Sequence, residues 1–291
     1  MDLEKISIER LREGAQMSEL YYQKPLLICY SGGKDSEVIL DLALKAGFNF
    51  NFEVQHSHTT ADAPETVYHI RKRFKKLEEK GIKCVINYPY YKGQRTSMWK
   101  LIQQKKMPPT RLMRYCCAVL KETAGQNRCI VTGVRRAESV KRKSAGVVEE
   151  RSRNINNRII INNDNDEKRQ IVESCQMQSK IAYNIIADWD NDTVKDYISS
   201  NHIDLNPLYQ CGFNRVGCIG CPNANKKRAF EFARYPKYRD MYIEAFDKML
   251  EVRKAEGKSN YSWHSGIDVY HWWMQDGVLP GQMSIDGEND W

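Results

Sequence analysis

Pro25-Leu-Leu-Ile-Cys-Tyr-Ser-Gly-Gly-Lys-Asp-Ser36 decides the reading of this chain. Residues 25–30 are a short apolar run of strand length, consistent with a buried strand. Ser31–Ser36 breaks the run, and Glu37–Ala46 reads as a helix closed by Gly47. In such a strand-to-helix setting two glycines let the backbone approach an anion, and the N–H groups and dipole of the helix start favour negative charge. Ser31 and Ser36 add hydroxyls, Lys34 adds charge, and Asp35 would hold a metal or orient the loop. Gly32-Gly33 alone could be a plain turn. The whole string after a buried strand points to phosphate, although it is not a Walker A loop, whose glycines are spaced differently.

Working outward, residues 3–21 have helical spacing and Phe48–His56 alternates as a strand. Pro64–Lys80 is an amphipathic helix, Ile82–Tyr88 a strand, and Cys129–Gly133 a strand entering the turn Gly133–Ser139. Strands alternating with helices argue for an α/β fold with a mostly parallel sheet and helices on both faces. Lys141–Gln170 is rich in Arg, Asn and Asp around the island Ile159–Ile161, which suits a surface hairpin or a flap. Residues 188–200 read as a further helix. From Lys226 to Met274 the chain reads as mostly helical, with Trp272-Trp273 anchoring the last helix. The expected organisation is a nucleotide-binding domain over 1–225 and a helical C-terminal extension over 226–291.

Charge and hydropathy narrow the class. Mean hydropathy is −0.65, and no stretch approaches the roughly 20 apolar residues of a membrane helix. Residues 1–16 lack the apolar core of a secretory signal, so a cytoplasmic protein is expected, with no membrane partner. The net charge of +8 suits a phosphate-bearing partner. Arg135, Arg136 and Lys141–Lys143 form a basic run beside the Gly133 turn, and an arginine fork matches phosphate geometry. Lys226, Lys227, Arg228, Arg234, Lys237 and Arg239 form a second group interleaved with Tyr235, Tyr238 and Tyr242. Such interleaving is a nucleic-acid habit, but tyrosines at helical spacing are more often core. His56 and His58 stand at a strand end near the expected pocket. They could bind a metal as a pair, but simple edge residues are the commoner case.

Nine cysteines without a secretory leader suggest metal or chemistry rather than disulfides. Cys29, Cys84 and Cys129 lie in apolar runs. Cys116-Cys117 and Cys218-Ile-Gly-Cys221 are the informative pairs, and four thiolates suit zinc or an iron–sulfur cluster. A vicinal pair converges less readily on one ion, which favours the cluster.

Several ordered motifs share one resemblance. Ser31–Ser36 resembles the PP-loop of the N-type ATP pyrophosphatases and of the PAPS/APS reductases. Pro64-Glu65-Thr66, Gly133-Val-Arg-Arg-Ala-Glu-Ser139, Asp188-Trp189, Asn206-Pro-Leu-Tyr209 and Gly217-Cys218 resemble that family's later elements. The resemblance implies a doubly wound sheet of the adenine nucleotide alpha-hydrolase-like kind, with the nucleotide at the strand C-terminal ends. It implies ATP or a related adenosine nucleotide held by Ser31, Gly32, Gly33, Lys34, Asp35, Ser36, Gly133 and Glu138. Lys34, Asp35, Arg135 and Arg136 would be catalytic, with Mg²⁺. The cysteine pattern resembles iron–sulfur APS reductases and Dnd-type DNA phosphorothioation enzymes, which implies a 4Fe-4S cluster on Cys116, Cys117, Cys218 and Cys221.

Sulfonucleotide reductases attack sulfur with a cysteine near the C-terminus, and residues 222–291 contain none. The expected activity is therefore ATP pyrophosphatase chemistry that activates DNA or tRNA for sulfur insertion. A cysteine desulfurase or another sulfur donor would act as partner. An APS/PAPS reductase and a non-catalytic nucleotide-binding subunit are the alternatives.

Overall fold

The computed structural model describes residues 2–47, 51–123, 125–139, 142–151, 158–162, 180–260 and 263–275. The chain packs as two compact units. The first comprises residues 1–58, 62–88 and 121–217, and the second residues 59–61, 89–120 and 218–291. The C-terminal helical segment thus shares its unit with residues 89–120. All four paired cysteines belong to that second unit.

The first unit is built on a seven-stranded sheet. Its strands are β1 (Leu26–Cys29), β2 (Phe52–Ser57), β3 (Cys84–Asn87), β4 (Cys129–Val131), β5 (Val148–Arg151), β6 (Arg158–Asn162) and β7 (Lys180–Tyr183). Their spatial order is β3-β2-β1-β4-β7-β5-β6. The first five in that order are parallel, and β5 and β6 add an antiparallel edge. The chain steps outward from β1 to β2 and β3, then returns to the other side of β1 for β4. That reversal makes the sheet doubly wound and creates a crevice at the strand C-termini.

Period-two alternation explains the layers. Leu26, Ile28, Phe52, Val54, Cys129, Val131, Ile181 and Tyr183 face one large core. The same core takes residues from α1 (Leu3–Tyr22), α2 (Lys34–Lys45), α3 (Pro64–Glu78) and the helix Asn191–Ser200. Leu27, Ile130 and Ala182 point to the opposite face and form a small cluster. Gly125 packs closely on Ile130 and Leu27, and the Lys180 amine donates to the Glu122 carbonyl at 2.7 Å. Within this unit Glu122 and Gly125 meet that second face.

Several sequence expectations are met within a few residues. Helix α2 starts at Lys34, three residues earlier than its apolar pattern, because extended Gly33 and the Ser36 hydroxyl cap it. The Asn/Asp-rich middle contributes β5 and β6, paired antiparallel at the sheet edge. Residues 152–157 and 163–170 of the expected flap lie outside the described residues.

The second unit is helical, with Met98–Lys105, Tyr115–Leu120, Lys227–Arg234, Pro236–Ala255 and Gly266–Met274 beside a short ribbon of Tyr90–Tyr91 and Gln94–Arg95. Its core is aromatic. Tyr242 lies 4.6 Å from Trp99 and 4.7 Å from Trp273, ring centre to ring centre. The Trp273 indole N–H donates to the Pro109 carbonyl at 2.6 Å, so Trp273 does anchor the last helix. No described helix is long and apolar enough to cross a membrane.

Candidate functional site

The loop Ser31–Ser36 sits at the C-terminal end of β1, beside the switch in strand order. Gly32 has φ +73°, a conformation that disfavours a Cβ, and a Cβ there would meet Ile70 Cγ1 at 3.1 Å. The Ser36 hydroxyl accepts the Gly33 N–H at 3.1 Å and donates to the Gly33 carbonyl at 2.7 Å. The Lys34 N–H donates to the Tyr209 phenol oxygen at 2.9 Å. Among the described residues the N–H groups of Asp35 and Ser36 have no acceptor. These first-turn donors are the ones that an anion at a helix start would use.

Three sequence motifs converge on this loop. The Asn206 amide donates to the Thr66 hydroxyl at 3.1 Å, and the Asn206 side-chain oxygen accepts the Leu208 N–H at 3.0 Å. This ties Pro64-Glu65-Thr66 to Asn206–Tyr209 and aims Tyr209 at the loop. Burial pushes the Tyr209 phenol above its ordinary pKa, against the lowering effect of the Lys34 N–H. The phenol therefore stays neutral, and its proton is a donor beside the loop. Tyr209 meets the loop directly, although its motif Asn206–Tyr209 gave it no role in the sequence. Beneath the loop, fully buried Glu37 accepts from the Tyr30 hydroxyl and meets His69 Nε2 at 2.6 Å.

Arg135 and Arg136 have definite places. Arg135 is 1% exposed. Its guanidinium meets Asp35 Oδ1 at 2.7 Å, the Trp189 carbonyl at 3.3 Å and Asn191 Oδ1 at 3.0 Å. The side chain therefore clamps Asp35 to the Asp188–Asn191 segment. Arg136 pairs with Asp188 and donates to the Ala145 carbonyl at 2.9 Å. Asp188 also holds Arg10 of α1 at 2.7 Å. Gly133 packs on Asp35: a Cβ there would stand 3.1 Å from the Asp35 Cβ. Glu138 accepts the Arg135 N–H at 3.3 Å and pairs with Arg142. Lys141 lies outside the described residues. Among the described residues the Lys34 amine makes no ion pair, which leaves it as the loop's available cation.

In the second unit the four thiols come together. Cys116 and Cys117 lie on the short helix Tyr115–Leu120, and Arg114 donates to Cys117 Sγ at 3.6 Å. Cys218 is buried and its thiol donates to the Thr59 hydroxyl at 3.3 Å. Gly220, with φ +72°, makes the turn between Cys218 and Cys221. Its N–H donates to Glu231 at 2.7 Å, and the Tyr242 hydroxyl donates to the Ile219 carbonyl at 3.0 Å. A hydrogen bond with Cys117, then burial, then the fields of Cys117, Cys218 and Cys221 push the Cys116 thiol far up. Such crowding of like charges is relieved by a metal.

The basic group after the cysteines divides. Arg228 is buried, stacks 5.1 Å from the Trp273 ring and donates to the Trp273 carbonyl at 2.7 Å. Tyr242 is core. Lys226, Lys227, Arg234, Lys237 and Arg239 are exposed.

Comparison with known proteins agrees with these motifs. The chain is 28% identical over 235 residues to the uncharacterized protein MJ0973 of Methanocaldococcus jannaschii, covering 78% of this chain and 47% of that protein. It thus spans about half the length of that curated relative. A 46-residue stretch is 41% identical to the adenosine 5'-phosphosulfate reductase of Rhizobium tropici, covering 16% of this chain and 26% of the reductase. Among solved structures, the phosphoadenylyl-sulfate reductase of Candida auris in its phosphate complex aligns with a TM-score of 0.47 and 19% identity, over 73% of this chain and 87% of that one. The model of the phosphoadenosine phosphosulfate reductase domain matches residues 25–224, which run from β1 through both cysteine pairs, and the chain belongs to that family.

Proposed function

We propose that this chain is a PP-loop ATP pyrophosphatase-type enzyme of sulfur metabolism that carries a 4Fe-4S cluster and activates a nucleic acid for sulfur insertion. The observation that carries the reading is the joint presence of a phosphate-ready loop and four converging thiols. In the loop, the Asp35 and Ser36 N–H groups and the Lys34 amine are donors for a polyphosphate. Cleavage between the α and β phosphates would transfer adenylate to a substrate oxygen and release pyrophosphate. The chain's contribution is electrostatic: fixed N–H groups and Lys34 stabilise the charge that builds on the departing pyrophosphate. Asp35 Oδ2, left over from the Arg135 clamp, is the carboxylate atom suited to Mg²⁺ travelling with the phosphates. Arg135 acts as a positioning residue through Asp35.

The thiols fit a cluster. The Cys116 thiol interacts with Cys117, Cys218 and Cys221, and four thiols gathered in this way support metal binding, for which the vicinal pair favours a cluster over a single zinc ion. Cys116, Cys117, Cys218 and Cys221 would hold the cluster, which supplies iron able to bind or pass sulfur. The exposed lysines and arginines after Cys221 and the net charge of +8 support a polyanionic substrate. The short match to an adenosine 5'-phosphosulfate reductase supports a second reading, reduction of a sulfonucleotide.

The test is product analysis under anaerobic conditions. The protein is incubated with ATP, a sulfide donor and either DNA or tRNA, and the nucleic acid is then digested and weighed by mass spectrometry. A thiolated nucleoside or a phosphorothioate linkage that requires ATP is the expected result. Sulfite from APS or PAPS, with the nucleic acid unchanged, would establish the second reading instead.

A further inference from the structure

A second cluster of ligands lies in the first unit, at the C-terminal end of β2. His56 and Asp62 are each 6% exposed, and His58 stands beside them with its side chain 22% exposed. His56 Nδ1 lies 3.0 Å from the Tyr30 carbonyl oxygen. A carbonyl only accepts, so Nδ1 carries the proton, and in the neutral ring Nε2 is a bare lone pair. Nε2 is fully buried without a hydrogen-bond partner, and it faces Asp62 Oδ2 at 3.9 Å. His58 Nδ1 approaches the same carboxylate oxygen at 3.4 Å. His56 Nε2 is thus a buried lone pair turned toward the carboxylate that His58 also approaches, and an orphaned buried acceptor costs free energy unless a cation takes its lone pair.

We infer that His56, His58 and Asp62 form a binding site for a divalent transition-metal ion. Two imidazoles and one carboxylate suit zinc, iron(II) or cobalt(II), and are poor ligands for Mg²⁺ or Ca²⁺. The Tyr30 carbonyl is the outer partner that fixes the tautomer of His56, as metal-ligating histidines generally require. Three protein ligands leave at least one position open. Arg71 and Tyr88 line the adjoining cleft, so the open position suits an oxyanion or a water. Tyr30 is followed directly by Ser31, so the ion's outer partner is continuous with the phosphate loop. The inference stands apart from the sulfur-insertion reading and survives its failure.

The test uses the full-length chain, stripped of metal and titrated anaerobically with Co²⁺. Thiolate-bound cobalt gives an intense sulfur-to-metal charge-transfer band, whereas cobalt on nitrogen and oxygen gives only weak d–d bands, so the two sites are read separately. The expected result is a nitrogen/oxygen-bound population of one ion per chain. It is lost in His58→Ala and in the near-isosteric Asp62→Asn, while the charge-transfer band is retained. Elemental analysis should show one ion fewer in each variant. A wild-type chain that binds no cobalt beyond the thiol site, or a cobalt stoichiometry unchanged in both variants, would overturn the inference.

Discussion

Replacing Arg135 with methionine tests the clamp on the phosphate loop. Methionine keeps most of the length and apolar volume but removes every donor. The guanidinium, 1% exposed, would give up Asp35, the Trp189 carbonyl and Asn191. Removing one partner of a buried ion pair costs about 3–5 kcal/mol. The Asp35 side chain is 22% exposed and can rehydrate, which discounts the figure. The two neutral acceptors add about 1 kcal/mol each. The expected loss is about 3 kcal/mol, read from urea unfolding curves with an unchanged slope. Nucleotide affinity should fall at least tenfold in the folded variant, because Asp35 and the helix start it belongs to lose their brace. A double-mutant cycle with Asp35→Asn should give a coupling of about 1–3 kcal/mol. A stability change below about 1 kcal/mol together with a large loss of binding would refute the clamp and mean that Arg135 touches the nucleotide itself.

Other expectations concern single groups. Gly220→Ala forces a side chain into a left-handed position and brings its Cβ within 2.4 Å of Phe232 Cζ. Strain of about 1–2 kcal/mol plus overpacking of about 1–3 should lower thermal stability and iron content together. Lys34→Ala should leave the unfolding curve within about 0.5 kcal/mol of wild type, as surface changes do. It should still weaken ATP binding in calorimetry. Burial alone would raise the Glu53 pKa, but hydrogen bonds from Lys83 and Arg128 outweigh it and hold the carboxyl below the ordinary value. The stability this contributes is fully present above about pH 4.5, the unfolded range, and is lost as pH falls through the lower folded pKa. Glu53→Gln should flatten that acid limb in unfolding curves recorded from pH 6 to 3.

Much of the fold was legible because it rests on local pattern. The β1-loop-α2 unit was readable from an apolar run followed by Gly32-Gly33, and α3 from its helical period. β7 went unread although it is an interior strand, paired between β4 and β5. Lys180–Tyr183 is only four residues long, and Lys180 reads as surface until its amine is seen to be held by the Glu122 carbonyl. The thiol site was legible as two pairs, but its second unit was not, since residues 59–61 and 89–120 join the C-terminal helices only through packing. The work of Arg135 was hidden for a related reason. Its partner Asp35 is 100 positions away, so a basic run looked like a nucleotide contact when one member is a buried brace. Tyr209 could have been found from its place in the Asn-Pro-Leu-Tyr motif. His56 and His58 resembled strand-edge residues because Asp62 enters only through the turn that precedes α3.

The most direct test of the central claim is to follow ATP by phosphorus NMR in the presence of the anaerobic protein, Mg²⁺ and nucleic acid. The account predicts AMP and pyrophosphate as the products, formed by wild type and not by Asp35→Ala. ADP and orthophosphate, or ATP left intact while PAPS or APS is reduced to sulfite, would contradict it.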